Sequence, residues 1–359
     1  MYNILEYTAR IAPAVRCLAM NGNGICKFDT EIKIEDLPKS DTVYINEKNI
    51  DDVYNELQQK IATGKIYKYI VLKNSGVFVC DYDTSGKRMA GKTIIVTGSA
   101  QGFGMGIAYH LAENGANVVI ADLNGDGAKR VSDEINEQYG NCSIGIGVDV
   151  GNEDLVREMI YKTVLHFGGL DVFINNAGIV KAGGIDEMNV SDFELVTKIN
   201  YTAYFLCAKY ASEIMKIQNK FLPDKMFDII QINSKSGLEG SKKNFAYAGS
   251  KFGGIGLTES LALELVEYNI KVNSICPGNF LDGPLWMDPQ KGLFVQYLKA
   301  GKILGAKTVE DVKKAYEDKV PIRRGCQTED VVKAIYYAIE QQYETGQAIP
   351  VTGGQVMLN

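Results

Sequence analysis

The stretch Lys92-Thr-Ile-Ile-Val-Thr-Gly-Ser-Ala-Gln-Gly-Phe-Gly-Met-Gly-Ile-Ala108 decides the fold. Its first half is β-branched, as a buried parallel strand is, and Gly98, Gly102 and Gly104 then lead into helix-forming sequence. Strand, glycine turn and helix in this order bring backbone N–H groups up to a pyrophosphate at the positive end of a helix. The next β-branched run, Asn117-Val-Val-Ile-Ala, ends in Asp122, twenty-four residues beyond Gly98. A carboxylate at that point hydrogen-bonds the adenosine ribose hydroxyls and repels a 2′-phosphate, so the pattern favours NAD over NADP. Neither the glycine turn nor the pair Leu123 and Asn124 supplies a cation for such a phosphate.

Beyond this unit strand-like and helix-like segments alternate, with strands expected near 93–97, 117–122, 143–148, 170–174, 227–233, 270–276 and 347–351. Right-handed crossovers then give an α/β, doubly wound Rossmann fold with a seven-stranded parallel sheet and helices on both faces. Asn175, Ser234 and Pro277 each follow a strand and so gather on the sheet edge where ligands bind. Residues 279–325 break the rhythm with Gly283-Pro-Leu-Trp286 and a helix-like Val309 to Glu317. Trp286, the only tryptophan, either closes a pocket or packs in a core.

Tyr247 and Lys251 stand four apart in Tyr-Ala-Gly-Ser-Lys, thirteen residues or more after Ser234. On a helix that spacing stacks both side chains on one face, where the ammonium favours the ionised phenol. Tyr247 is then a general base for an alcohol or a general acid for a carbonyl, with the Ser234 hydroxyl holding the reacting oxygen. An ordinary surface pair has the same spacing; the dinucleotide pattern upstream gives this one a chemical context.

These motifs resemble, in order and spacing, the short-chain dehydrogenase/reductase family from about Met89 to Asn359. Thr97 to Gly104 is similar to that family's Thr-Gly-x-x-x-Gly-x-Gly turn, with Phe103 where Ile or Leu is usual. Asp149-Val150 is similar to its adenine-side pair, Asn175-Asn176-Ala177-Gly178 to its Asn-Asn-Ala-Gly segment, and Pro277-Gly278 to its Pro-Gly. Asn200 falls where the family has a helix-bending Asn whose backbone helps hold a relay water. The resemblance implies NAD held by Gly98, Ser99, Gln101, Gly102, Phe103 and Gly104, by Asp122 and Leu123, and by Asp149 and Val150. It adds Asn176, Ala177, Gly178, Pro277 and Gly278 as cofactor-binding residues, with Tyr247 and Lys251. It also implies catalysis by Asn200, Ser234, Tyr247 and Lys251, Lys251 bonding the nicotinamide ribose as well, and assembly as a homotetramer through helices that include 191–219 and 245–268.

A narrower set of segments, Ile229 to Gly237, Lys251-Phe-Gly-Gly254, Asp318 to Cys326 and Val351 to Met357, resembles the bacterial sorbitol-6-phosphate 2-dehydrogenases. That similarity implies oxidation of D-sorbitol 6-phosphate to D-fructose 6-phosphate. A sugar phosphate needs cations at the pocket mouth, and Lys181, Lys235 and Lys242 are the candidates, with Lys243, Arg323 and Arg324 as further possibilities. A dehydrogenase of another polyol or polyol phosphate keeps the same catalytic residues. A non-catalytic dinucleotide-binding regulator is the reading from a different class.

Residues 1–86 fall outside the resemblance and read as a small α+β module joined to an 87–359 dehydrogenase unit through Asp83 to Gly91. Ile50, Val53, Tyr54, Leu57 and Ile61 have helical spacing, with Asn49 as cap and Gly64 as stop. Tyr67 to Leu72 and Val77 to Cys80 read as a hairpin. Arg10 and Arg16 interrupt the apolar N-terminus, so no membrane span is expected there. A net charge of −6 argues against nucleic acid as partner. Seven scattered cysteines and two histidines, His110 and His166, show no metal-ligand spacing, and the expected setting is a reducing cytoplasm with no metal.

Overall fold

Runs rich in Val and Ile fold as seven strands of one parallel sheet in the computed structural model, which describes residues 4–46, 49–61, 67–83, 85–290, 292–299, 301 and 303–357. The strands are β5 (Thr93–Thr97), β6 (Asn117–Asp122), β7 (Ser143–Gly147), β8 (Val172–Asn175), β9 (Phe227–Ile232), β10 (Ile270–Pro277) and β11 (Ala348–Val351). Their spatial order is β11-β10-β9-β8-β5-β6-β7, and every neighbouring pair is parallel. The chain runs outward from β5 to β7, then returns to place β8 on the other flank of β5. This reversal opens a crevice at the carboxyl ends of β5 and β8, where a doubly wound sheet binds its ligand.

Helices α3 (Gly102–Glu113), α4 (Gly125–Tyr139), α5 (Glu153–Phe167), α6 (Val190–Thr197), α7 (Ala203–Phe221), α8 (Phe245–Leu265) and α12 (Thr328–Glu340) cover the sheet. The expected strands are all present, and the long helix expected over 191–219 is divided by a π turn at Lys198–Thr202. Between β10 and α12 stand α9 (Pro284–Met287), α10 (Leu293–Lys299) and α11 (Val309–Glu317). Trp286 is buried there against Phe294 and Tyr316, with ring centroids 5.0 Å away in both cases. Of its two expected roles, the structure gives it the second: it is the core of the insertion.

The amino-terminal residues form α1 (Ile4–Met20), β1 (Ile25–Asp29), β2 (Thr42–Ile45), α2 (Ile50–Ile61), β3 (Tyr69–Leu72) and β4 (Gly76–Asp81). The sheet order is β1-β4-β3-β2, with α2 crossing between parallel β2 and β3 and a hairpin joining β3 to β4. Asn49 Oδ1 accepts from Asp52 N–H at 2.9 Å, the expected cap of α2; Gly64 lies outside the described residues.

The sequence reading of an interrupted apolar terminus missed α1. This helix is buried on almost every side, and Ile11, Val15 and Met20 share one apolar cluster with Phe167 of α5, Leu170 of the connection to β8 and Ile214 of α7. Arg16, 1 % exposed, does not break the helix but ends at a buried charge: its Nη2 reaches Asp171 Oδ2 at 2.7 Å. Arg16 also donates from Nε to Gly24 O and from Nη2 to Gly91 O, at 2.8 and 2.6 Å. Asp171 further accepts from Thr93 N–H at 2.7 Å and faces Lys225 Nζ at 2.8 Å. Among the described residues no helix is long and apolar enough to cross a membrane.

Candidate active site

The glycine turn acquires its shape from three different demands. Gly98 has φ +64°, and a Cβ there would stand 2.8 Å from Ala177 Cα; Gly104 is closer still, 2.3 Å from Gly98 O. Gly102 has φ +61° with nothing within 4 Å of a Cβ position, so the backbone at the start of α3 is open to a ligand. Gln101 caps α3 in an extended conformation without a side-chain hydrogen bond, leaving the first N–H groups of the helix available to an anion. Ser99 is turned inward instead: its hydroxyl donates to Val96 O at 2.6 Å and accepts from Ala121 N–H at 3.1 Å, so its side chain builds the turn.

At the end of β6, Asp122 accepts from Ala100 N–H through Oδ2 and from Asn124 N–H through Oδ1, both at 2.9 Å. Its carboxylate thus ties the glycine turn to the loop carrying exposed Leu123 and keeps lone pairs for a diol. Asp149 Oδ1 accepts from Gly151 N–H at 2.9 Å, while Val150 faces the core. Across the crevice Thr97 Oγ1 accepts from the N–H groups of Asn176 and Ala177 at 3.0 Å each. Asn176 Nδ2 returns to Thr97 O and Gly98 O at 2.9 and 3.0 Å, locking the two loops together. Open backbone at Gly102, a helix end and the Asp122 carboxylate tied to the turn fit a dinucleotide.

Ser234, Tyr247, Lys251 and Asn200 come from three elements and meet next to this crevice. Ser234 caps the short turn Lys235–Gly237 after β9, its Oγ accepting from Ser236 N–H at 3.1 Å. That bond leaves the Ser234 proton to donate, and the nearby Ser234 hydroxyl draws the Tyr247 phenol toward ionisation. Burial acts in the opposite sense and prevails, so Tyr247 lies above its ordinary value of 10.0. The expected downward shift from Lys251 is not what this geometry gives: the ammonium stands 5.6 Å from the phenol ring centroid and donates to Ile232 O at 3.0 Å. Burial brings Lys251 itself down to about 8, against a raising influence from Cys276.

Asn200 sits inside the π turn, whose i→i+5 pattern departs from regular helix pairing as functional sites often do. Its side chain clamps Ile179, Oδ1 accepting from Ile179 N–H at 2.8 Å and Nδ2 donating to Ile179 O at 2.9 Å. Nδ2 also reaches Ser250 Oγ at 3.1 Å, and Ser250 donates to Tyr247 O at 2.7 Å. Ser250 therefore joins Asn200 to the tyrosine, a role not assigned to it in Tyr-Ala-Gly-Ser-Lys. At Gly178 a Cβ would come to 3.3 Å from Asn200 Oδ1 and 3.8 Å from Lys251 Nζ, which places the Asn-Asn-Ala-Gly loop directly beside the proton-transfer groups.

Phe103 stacks on Phe280, ring centroids 4.3 Å apart and planes at 12°. Phe280 follows Pro277-Gly278, where Gly278 N–H is held by Val351 O at 2.9 Å. The partner was not legible, because the pair is far apart in sequence. The lysine candidates differ from one another: Lys181 faces Asp192 and Lys235 faces Glu239, each at 3.2 Å, whereas Lys242 is exposed and has no ion pair among the described residues. Lys243, at φ +60°, pairs with Glu187 at 3.4 Å. Arg324 pairs with Asp330 at the start of α12, so it serves the helix end.

Residues 92–291 match the family model of short chain dehydrogenases. The chain belongs to that family. It is 40 % identical over 269 residues to the sorbitol-6-phosphate 2-dehydrogenase of Escherichia coli (strain K12), covering 73 % of this chain and 98 % of that protein. The crystal structure of sorbitol-6-phosphate 2-dehydrogenase from Erwinia amylovora superposes with a TM-score of 0.66 at 40 % identity, over 74 % of this chain and all of that one. A 3-oxoacyl-[acyl-carrier-protein] reductase from Aquifex aeolicus is 29 % identical over 269 residues.

Proposed function

We propose that the protein oxidises D-sorbitol 6-phosphate to D-fructose 6-phosphate, reversibly, with NAD as cofactor. The observation that carries this reading is the meeting of Ser234, Tyr247, Lys251 and Asn200 beside the open turn at Gly102. Bound NAD supplies the hydride acceptor. The protein's own part is to take the hydroxyl proton at Tyr247 Oη and steady the reacting oxygen with the Ser234 hydroxyl. Lys251 places a buried ammonium 5.6 Å from the phenol ring, and Asn200 fixes the loop that follows Gly178. Asp122 supports NAD rather than NADP, since a 2′-phosphate beside that carboxylate would be repelled.

The substrate assignment rests on the relatives named sorbitol-6-phosphate 2-dehydrogenase and on lysines near Ser234. Lys242, with no acidic partner among the described residues, is the foremost phosphate contact, with Lys235 and Lys181 reached by displacing Glu239 and Asp192. Exposed Phe205 of α7 and Phe252 and Leu263 of α8 support assembly as a homotetramer through these helices. The test is reduction of NAD with sorbitol 6-phosphate against sorbitol, ribitol phosphate and galactitol phosphate, repeated with NADP. A preference for sorbitol 6-phosphate and NAD is expected; equal rates with sorbitol would refute phosphate recognition.

A further inference from the structure

Asn233, directly before Ser234, is 5 % exposed, yet every polar atom of its side chain is engaged. Its Nδ2 donates to Lys251 O at 3.0 Å and to Gln231 Oε1 at 2.8 Å, and its Oδ1 accepts from Ser234 N–H at 2.8 Å. One planar amide thus holds the backbone of the serine just beyond β9 and the backbone of the lysine on α8. Lys251 answers with its own bond from Nζ to Ile232 O, so residues 232–233 and 251 are stapled in both directions. Gly237 makes room for the staple: a Cβ there would lie 2.3 Å from Asn233 Oδ1 and 3.1 Å from Lys251 O. Behind it Gln231 Oε1 accepts from Ser274 Oγ at 3.0 Å, and Ser274 bonds Thr258 of α8 at 2.7 Å, which backs the staple with a second polar link between β9 and that helix.

We infer that Asn233 is a positioning residue for the proton-transfer step, setting the separation between the Ser234 hydroxyl and the Tyr247–Lys251 pair, with Gly237 as its required spacer. This rests on the reading of Ser234, Tyr247 and Lys251 as the reacting groups. Ser234 and Tyr247 must reach the same substrate oxygen, each within the hydrogen-bonding range of about 2.6–3.2 Å. They stand on different elements, so that range is kept only while β9 and α8 hold their spacing. A displacement of about 1 Å costs on the order of 100-fold in rate. Asparagine suits the position because it offers a donor and an acceptor in one plane; aspartate would turn a carboxylate oxygen toward Gln231 Oε1 and Lys251 O.

The test uses the full chain with Asn233→Ala, Gly237→Ala, the double variant and Asn233→Asp, measuring kcat, KM for both substrates and NADH affinity by fluorescence. Active-site concentration is taken from the NADH binding stoichiometry. The expected result is a fall in kcat of about 10- to 100-fold in each alanine variant, NADH affinity within about twofold of the parent, and a double variant no worse than the weaker single. In ketone reduction, where Tyr247 is already protonated, Asn233→Asp should recover rate as the pH falls and its carboxyl gains a proton able to donate to Lys251 O. A pH profile parallel to the parent, unchanged kcat per site, or multiplicative loss in the double variant would overturn the inference. Failure of the parent to oxidise sorbitol 6-phosphate would count against the substrate alone, and the series then runs on the alcohol it does oxidise.

Discussion

Replacing Arg16 by Met tests whether the amino-terminal helix is held to the dehydrogenase by charge. The side chains of Arg16 and Asp171 are 1 % and 0 % exposed. Removing the guanidinium strips Asp171 of one of its two cationic partners and leaves Gly24 O and Gly91 O without their donor. Breaking one side of a buried pair costs about 3–5 kcal/mol. Lys225 and Thr93 N–H remain on the carboxylate, which places the loss toward the lower end. With an unfolding entropy of about 2.1 cal/mol/K per residue, a loss near that lower end of about 3 kcal/mol lowers the Tm of a chain of 359 residues by about 4 °C. Arg16 and Lys225 together hold the Asp171 carboxyl well below the usual carboxylate range despite its burial. Its folded pKa is thus depressed, so its stabilising contribution is complete above the unfolded value of about 3.9 and is lost as pH falls through the folded one. The deficit of Arg16→Met should therefore narrow on acidification below about pH 4, because Asp171 without the guanidinium is protonated more readily than in the parent, which loses its extra stabilisation over that range. Thermal unfolding followed by circular dichroism, with Asp171→Asn and the double variant, reads all of this. A loss below about 1 °C, or strictly additive effects of the two substitutions, would refute the clamp.

Tyr247→Phe should lower turnover by about 100- to 10,000-fold while NADH still binds, because only the proton-transfer group is removed; retained turnover in steady-state assays would end its assignment. Gly104→Ala should abolish dinucleotide binding, since the added methyl lies 2.3 Å from Gly98 O and 2.5 Å from Asn176 Nδ2, and calorimetric titration with NADH at parental affinity would contradict this. Lys235→Ala combined with Lys242→Ala should raise KM for sorbitol 6-phosphate by about 10-fold or more, as loss of charge-assisted contacts does, and leave sorbitol unaffected; equal effects on both would show that neither lysine meets the phosphate. Alcohol oxidation needs the unprotonated phenol, and burial sets Tyr247 above its usual value, so kcat for oxidation should climb between about pH 7 and 9 while reduction does not. An oxidation rate that declines over that range would be inconsistent with Tyr247 as base.

The dehydrogenase part was legible because each of its signals is local. β-Branched runs mark strands, the glycines mark backbone that no side chain permits, Asp122 ends a strand and Ser234 follows one. What stayed hidden depends on contacts between distant residues. Phe103 stacking on Phe280, Ser250 joining Asn200 to Tyr247, and Asn233 holding Ser234 to Lys251 are pairings that no single segment announces. The sign of the Tyr247 shift was misjudged for the same reason, since helical spacing reports proximity to Lys251 but not the desolvation that outweighs it. Lysines near Ser234 were visible, but not the acidic partners Asp192 and Glu239 that two of them meet.

Arg16 shows how the same limitation concealed the relation between the two sheets. An arginine among alanines and other apolar residues reads as a polar break, because a buried cation is unfavourable unless its partner is known. The partner, Asp171, lies 155 residues away, directly before β8. β8 is only Val172–Asn175, and the residues that follow it are Asn176 and Gly178, which touch the glycine turn and the groups around Lys251. The charge that fixes the amino-terminal helix is therefore fixed to the strand that delivers one wall of the reaction site. Gly168, whose Cβ position would fall 2.8 Å from Cys26 Cβ, presses the small sheet against the same connection from α5. A cut after residue 86 would remove the guanidinium and expose the apolar face that α1 covers, so the dehydrogenase fold of this chain is completed by residues that lie outside its family match.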